Sequence, residues 1–105
     1  MLSIDKENFE QEVKATEGLV LVDFWSTNCE ECLALMPELE ALENKYAGRV
    51  KFCQLNIQGN RRLALSLGVR GLPAVGFFKA GEKAALLTPE GVTPEAVEAK
   101  INELL

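Results

Sequence analysis

The sequence contains no histidine. That absence removes the commonest general base and the commonest transition-metal ligand together. Catalysis in this chain must rest on cysteine, carboxylates, lysine or backbone groups. Clustered basic charge is missing too: the only adjacent basic pair is Arg61-Arg62, and the formal net charge is −5. Nucleic acid is not an expected partner, because phosphate binding needs grouped lysine and arginine. Long apolar runs are absent. The longest, such as "LVLV", are far too short to span a bilayer. The N-terminal "MLSIDKENFEQEV" lacks the basic-then-apolar pattern of a signal peptide. A cytoplasmic chain with no membrane partner is therefore expected. Cysteine is scarce and odd in number, at three, so a structural disulfide framework is not expected.

What remains is ordinary globular material. The 105 residues are 48% hydrophobic and 26% charged, which fits one domain over residues 1–105. Residues 2–4 read as a short edge strand. Asp5 then suits the cap of a helix, with Phe9 and Val13 at helical spacing, running up to Gly18. "LVLVDFW" (19–25) is a continuous apolar run of strand length, the pattern of a strand covered on both faces. Leu35, Leu39, Leu42 and Tyr46 recur at helical spacing until Gly48, with Pro37 inside the pattern and a kink expected there. Residues 49–57 read as a strand and 58–68 as a short helix. A turn at 71–73 leads to a strand at 74–79, a turn at Ala80-Gly81 and a hairpin strand at 84–88. Thr93 then caps a last helix, with Pro94 in its first position and Glu95 in its first turn. Val97, Ile101 and Leu104 or Leu105 form that helix's buried stripe. The order β-α-β-α-β-α-β-β-α predicts an α/β fold, a central mixed sheet with helices on both faces.

The chemistry concentrates in "NCEEC" (28–32). A C-x-x-C beside a βαβ pattern reads as a dithiol redox site. If Cys29 caps a helix, its sulfur lies over the unpaired N–H groups of the first turn, which favour a thiolate. Cys32 lies one turn further along the same face and can reach back to form a disulfide. Cys29 is thus expected to be the exposed attacking thiol and Cys32 the buried resolving one. A zinc site wants four N or S ligands, and only Cys53, in mid-strand, is left to join the pair. No metal site is expected. Cys53 itself reads as a small core side chain on the face opposite Phe52 and Gln54. Asp23 lies amid six apolar neighbours, a costly position unless the carboxyl is paired or protonated. Glu38, Glu40 and Glu43 read as the solvated face of a helix.

The chain closely resembles the thioredoxin family, nearly end to end. "LVDFWSTNCEECLALMPELEALENKYAGRV" resembles that family's strand, active-site motif and kinked helix. "QLNI" resembles its next strand, and "GVRGLPAVGFFKAGE" its cis-proline loop, fourth strand and turn. The resemblance implies a thioredoxin fold and a protein-disulfide reductase acting through a Cys29–Cys32 couple. It makes Asp23 the buried carboxylate that shuttles a proton to or from the second thiol. Pro73 becomes the cis-proline facing the disulfide, and Leu72 the residue whose backbone pairs with a substrate strand. Trp25 matches the motif's first tryptophan, either packing or offering a substrate platform, and Pro37 matches the helix proline. No bound cofactor is implied. The implied partners are disulfide-containing proteins and a reductase-type electron donor drawing on NADPH or ferredoxin, with the chain acting as a monomer.

Several positions depart from the family pattern. Asn28 replaces the usual tryptophan at the substrate-facing position before the first cysteine. Glu30-Glu31 replaces Gly-Pro, Gln54 stands where a lysine usually neighbours the buried Asp, Leu33 follows Cys32, and "LTPEGV" is one residue longer in the last loop. Acids in a first turn complement the helix dipole by about 0.3–1 kcal/mol each. They also sit roughly 5–8 Å from the Cys29 sulfur, where repulsion of a thiolate is on the order of 1 kcal/mol. Only the reduced form carries that charge, so Glu30 and Glu31 are expected to favour the disulfide and make a stronger reductant. Without a lysine at 54, the Asp23 pKa is expected to rise further. These departures also admit a thioredoxin-like binding module without turnover. An oxidase or isomerase fits less well, because those roles want a stabilised thiolate.

Overall fold

The computed structural model of the chain describes residues 1–105. Five strands form one mixed sheet: β1 (Leu2–Ile4), β2 (Leu19–Trp25), β3 (Val50–Asn56), β4 (Ala74–Lys79) and β5 (Glu82–Leu87). The order across the sheet is β1-β3-β2-β4-β5. The first three strands in that order run parallel, and β4 and β5 add antiparallel. β2 is therefore central, and six of its seven residues are buried, as its unbroken apolar run predicts. Helices α1 (Glu30–Lys45), α2 (Arg61–Ser66) and α3 (Pro94–Leu104) complete the layers. This is the α/β thioredoxin fold expected from the sequence.

Alternation along the strands sorts the core into two halves. On one face Leu19 and Leu21 of β2 and Val75 and Phe77 of β4 meet Leu35, Leu39 and Leu42 of α1 and Val97 and Ile101 of α3. On the other, Val20, Val22 and Phe24 meet Phe9, Val13, Cys53 and Ala64. Phe9 and Phe78 cross there edge to face, centroids 5.6 Å apart. In the α3 stripe Leu104 is the partly buried member, while Leu105 is exposed. Helix α1 runs unbroken through Pro37, which has no N–H to return to the Leu33 carbonyl.

Three element boundaries differ from expectation. The helix expected to run from Asp5 to Gly18 is only a turn followed by a π-helical segment, Glu10–Lys14. Asp5 closes the turn and not the helical segment, whose N-cap is Phe9: Asp5 Oδ1 accepts from the N–H groups of Glu7 (2.8 Å) and Asn8 (3.1 Å). The Glu12 carbonyl, which would continue an α-helix, is taken by Thr16 Oγ1 (2.7 Å) and Lys51 Nζ (2.8 Å). The helix expected at 58–68 shrinks to α2, because Gln58 and Asn60 are committed to side-chain bonds that hold the preceding turn. β5 begins at Glu82 rather than 84. Ala80 (φ 54°) and Gly81 (φ 83°) form a two-residue turn of left-handed residues, which pairs Lys79 directly with Glu82.

That turn packs against the π-helical segment. A Cβ on Gly81 would press into the Lys14 carbonyl oxygen, whereas one on Gly59, also left-handed at φ +82°, would meet open space. Gly59→Ala is expected to cost about 1–2 kcal/mol from backbone conformation alone. Gly81→Ala should cost at least ~1 kcal/mol more, since two backbones must separate. Urea midpoints of the two variants measure the difference, and equal losses would refute the close approach.

Candidate active site

The site forms where β2 leaves its cover. Trp25, half-buried, ends the strand, and its carbonyl accepts the Ile57 N–H at 2.9 Å. The chain then turns. The Ser26 carbonyl accepts the Cys29 N–H at 3.2 Å, and Thr27 is held through its hydroxyl (2.9 Å) and N–H (3.3 Å) by Gln58 Oε1. Gln58 is itself positioned by its own N–H, which donates to Asn56 Oδ1 at 2.9 Å. Sequence reasoning placed Gln58 at a helix start and missed this role. The turn signal "QGN" marks the loop, but nothing local says which loop it braces.

Cys29 is extended (φ −100°, ψ 99°) and caps α1. Its Sγ accepts the Cys32 N–H at 3.1 Å, which satisfies one of the orphan donors of the first turn. Cys29 and Cys32 are joined by a disulfide, their Cα atoms 5.2 Å apart. Cys29 is partly exposed and Cys32 fully buried, the asymmetry expected of an attacking and a resolving sulfur. Asn28, Glu30 and Glu31 are all exposed beside Cys29, and Leu33 is 45% exposed just after the pair. The Leu72-Pro73 peptide is cis. Pro73 is buried and shares a groove of about 490 Å³ with Glu31, Ala34 and Leu35, so the loop before β4 abuts the first turns of α1. Leu72 turns the other way, into a cavity of about 130 Å³ with Ile57 and Arg70.

Asp23 lies on the α1 side of the sheet, in register with Val75 and Gln54. It is fully buried, and neither carboxylate oxygen has a hydrogen-bond partner. Burial raises its pKa to about 7. Gln54 does stand beside it, as aligned, but the amide donates to Ser3 Oγ at the sheet edge, 3.0 Å away, and leaves the carboxyl unassisted. Cys53 is on the opposite face among core aliphatics, and its thiol is pushed up to about 11, chiefly by burial. Among the α1 acids, Glu43 is not simply solvated: it accepts from the N-terminal amine at 3.0 Å. Glu38 lines the groove beside Pro73.

The buried carboxyl makes stability depend on pH in a defined direction. Below pH 3.8, the ordinary value, folded and unfolded chains both hold the Asp23 proton. As pH rises towards 7 the unfolded chain releases it first, so stability falls, and the loss is complete above about 7. A shift of that size corresponds to about 4 kcal/mol. Asp23→Ala should therefore stabilise the oxidised protein at pH 8 by roughly 2–4 kcal/mol, and at pH 4 by no more than about 0.5 kcal/mol. Urea unfolding at the two pH values checks this, and a gain independent of pH would count against a titrating buried carboxyl.

A model of the thioredoxin family matches residues 1–103. The chain is similar to a thioredoxin of Acetoanaerobium sticklandii, 43% identical over 105 residues and the full length of both. It is also 43% identical to a thioredoxin of Peptoclostridium acidaminophilum over 101 residues, 96% of this chain and 92% of the relative. A thioredoxin of Pseudomonas aeruginosa is 37% identical over 81 residues, 77% of this chain and 75% of the other. A helix-capping, partly exposed Cys29 bridged to a buried Cys32, on this sheet and with these relatives, places the chain in the thioredoxin family of thiol–disulfide oxidoreductases.

Proposed function

We propose that this chain reduces protein disulfides as a single monomeric domain, with Cys29 as nucleophile, Cys32 as resolving thiol and Asp23 as proton acceptor. The observation that carries the reading is the Cys29 cap, where one sulfur is both partly exposed and aimed at the helix N–H groups. The Cys29 thiolate attacks one sulfur of the substrate disulfide, forming a mixed disulfide and releasing the first substrate thiolate. Cys32 then gives its proton to Asp23 and attacks Cys29 Sγ. The second substrate thiolate leaves, and the Cys29–Cys32 disulfide forms. Two electrons have passed to the substrate, and an external reductase returns them.

A carboxyl at about 7 can accept and return a proton near neutrality, which supports Asp23 in that role. Pro73 and the Leu72 backbone are the proposed seat of the substrate strand, with Trp25 and Asn28 on its border. The cytoplasm suits the reaction. The absence of any helix long and apolar enough to cross a membrane is compatible with it. Glu30 and Glu31 are proposed to oppose the Cys29 thiolate and lower the potential of the couple, while Gln54 leaves Asp23 without a cationic neighbour.

A redox titration in dithiothreitol buffers, read by Trp25 fluorescence in the Cys53→Ser background, tests the proposal. A reversible two-electron transition is expected at or below about −270 mV, the general reference value for thioredoxin. Glu30→Gln with Glu31→Gln should raise the potential by roughly 15–30 mV, as removal of on the order of 1 kcal/mol of repulsion requires. A fall in potential would reverse the sign of the electrostatic argument. Absence of any reversible transition would favour a binding module that docks partners without turnover.

A further inference from the structure

A substrate disulfide that exchanges with Cys29 must lay the chain around its own cysteine over the surface beside the sulfur. On one side that surface is a furrow. Leu35, Pro73, Val92 and Pro94 line the groove of about 490 Å³, together with Glu31, Glu38 and Glu95. It leads into a second groove of about 280 Å³ between α1 and α3, which shares Glu38, Pro94 and Glu95. Glu31 and Glu38 are two helical turns apart and so project from the same face of α1. The ion pairs of the chain are Met1–Glu43, Lys45–Glu98, Lys51–Glu12 and Lys100–Glu103. None engages Glu31, Glu38 or Glu95. Lys45, the one cation at the far end of the furrow, is held by Glu98. Arg61 and Arg70 lie in the separate cavity that Leu72 lines, and Lys45 is the only lysine or arginine lining either groove of the furrow.

Three exposed carboxylates without cations, above an apolar lining, concentrate negative potential along the path that runs from the disulfide. An acidic substrate flank would meet like charge there. A neutral one would leave the carboxylates unpaired, and a basic one would complement them. We infer that the furrow receives the lysine- or arginine-bearing segment that flanks the cysteine of a protein disulfide, and that Glu38 and Glu95 set this preference. The inference rests on the exchange reaction proposed above for Cys29.

Three peptides separate the two. Each carries one cysteine in mixed disulfide with thionitrobenzoate, flanked by two lysines, two serines or two glutamates. Second-order rate constants for reduction by the fully reduced chain are expected in the order lysine, serine, glutamate. The extremes should differ by about 10-fold at low ionic strength and by about 2-fold at 0.5 M salt. Glu38→Gln with Glu95→Gln should lower the lysine-to-serine rate ratio by about 3-fold. Equal rates for all three peptides, or an unchanged ratio in the double variant, would overturn the furrow and leave the exchange reading intact. No reaction with any peptide would overturn the exchange reading and the furrow with it.

Discussion

Strand β2 is hydrogen-bonded on both edges and covered on both faces, and the site depends on that enclosure. A strand so placed delivers its C-terminal end to a fixed point at the edge of the sheet, where ligand crevices of open α/β sheets form. The chain can turn there only once, through residues 26–29, before α1 begins. The turn is braced by the segment that follows β3, through the Ile57 N–H that donates to the Trp25 carbonyl and through Gln58. Cys29 thus inherits its position from the core rather than from its own neighbours. The same enclosure makes Asp23 expensive to ionise, because its side chain is fully buried and no protein group hydrogen-bonds to its carboxylate oxygens.

Two electrostatic influences compete at the Cys29 sulfur. The N-terminus of α1 offers its unpaired N–H groups, one of which already points at Sγ. Glu30 and Glu31 occupy the same first turn with opposite effect on a sulfur anion. On the exchange reading proposed above, the acids suit the helix and disfavour the thiolate, so one pair of residues would act on local folding and redox poise with opposite signs. A basic substrate flank would offset the repulsion during attack and would so link the proposed choice of partner to the readiness of the nucleophile.

Much of this was legible in the sequence because the signals were local. The apolar run of 19–25, the turn held by Asp5, the cap Thr93, the turn at Ala80-Gly81 and the spacing of the two cysteines each fix structure within a few residues. Burial of Asp23 followed from its apolar neighbours, and Cys53 and Phe52 separated onto opposite faces by strand alternation. The rest was set by contacts distant in sequence. Lys51 reaches 39 residues back to the Glu12 carbonyl and helps turn an expected α-helix into a π-helical segment. Gln58 reaches 31 residues back to Thr27, and Gln54 reaches 51 back to Ser3. No periodicity encodes such bonds. The acidic furrow is likewise invisible along the chain, since Glu38 and Glu95 come together only when α1 packs beside α3.

The want of histidine has a spectroscopic consequence. In the oxidised protein Cys29 and Cys32 do not titrate, and the Cys53 thiol is displaced to about 11. Asp23, at about 7, is then the side chain whose proton comes and goes around neutrality. A carboxylic C=O band that fades through that range in the infrared belongs to it without isotopic labelling. The interior of the sheet therefore carries its own indicator, and no imidazole in the chain takes up or releases protons alongside it.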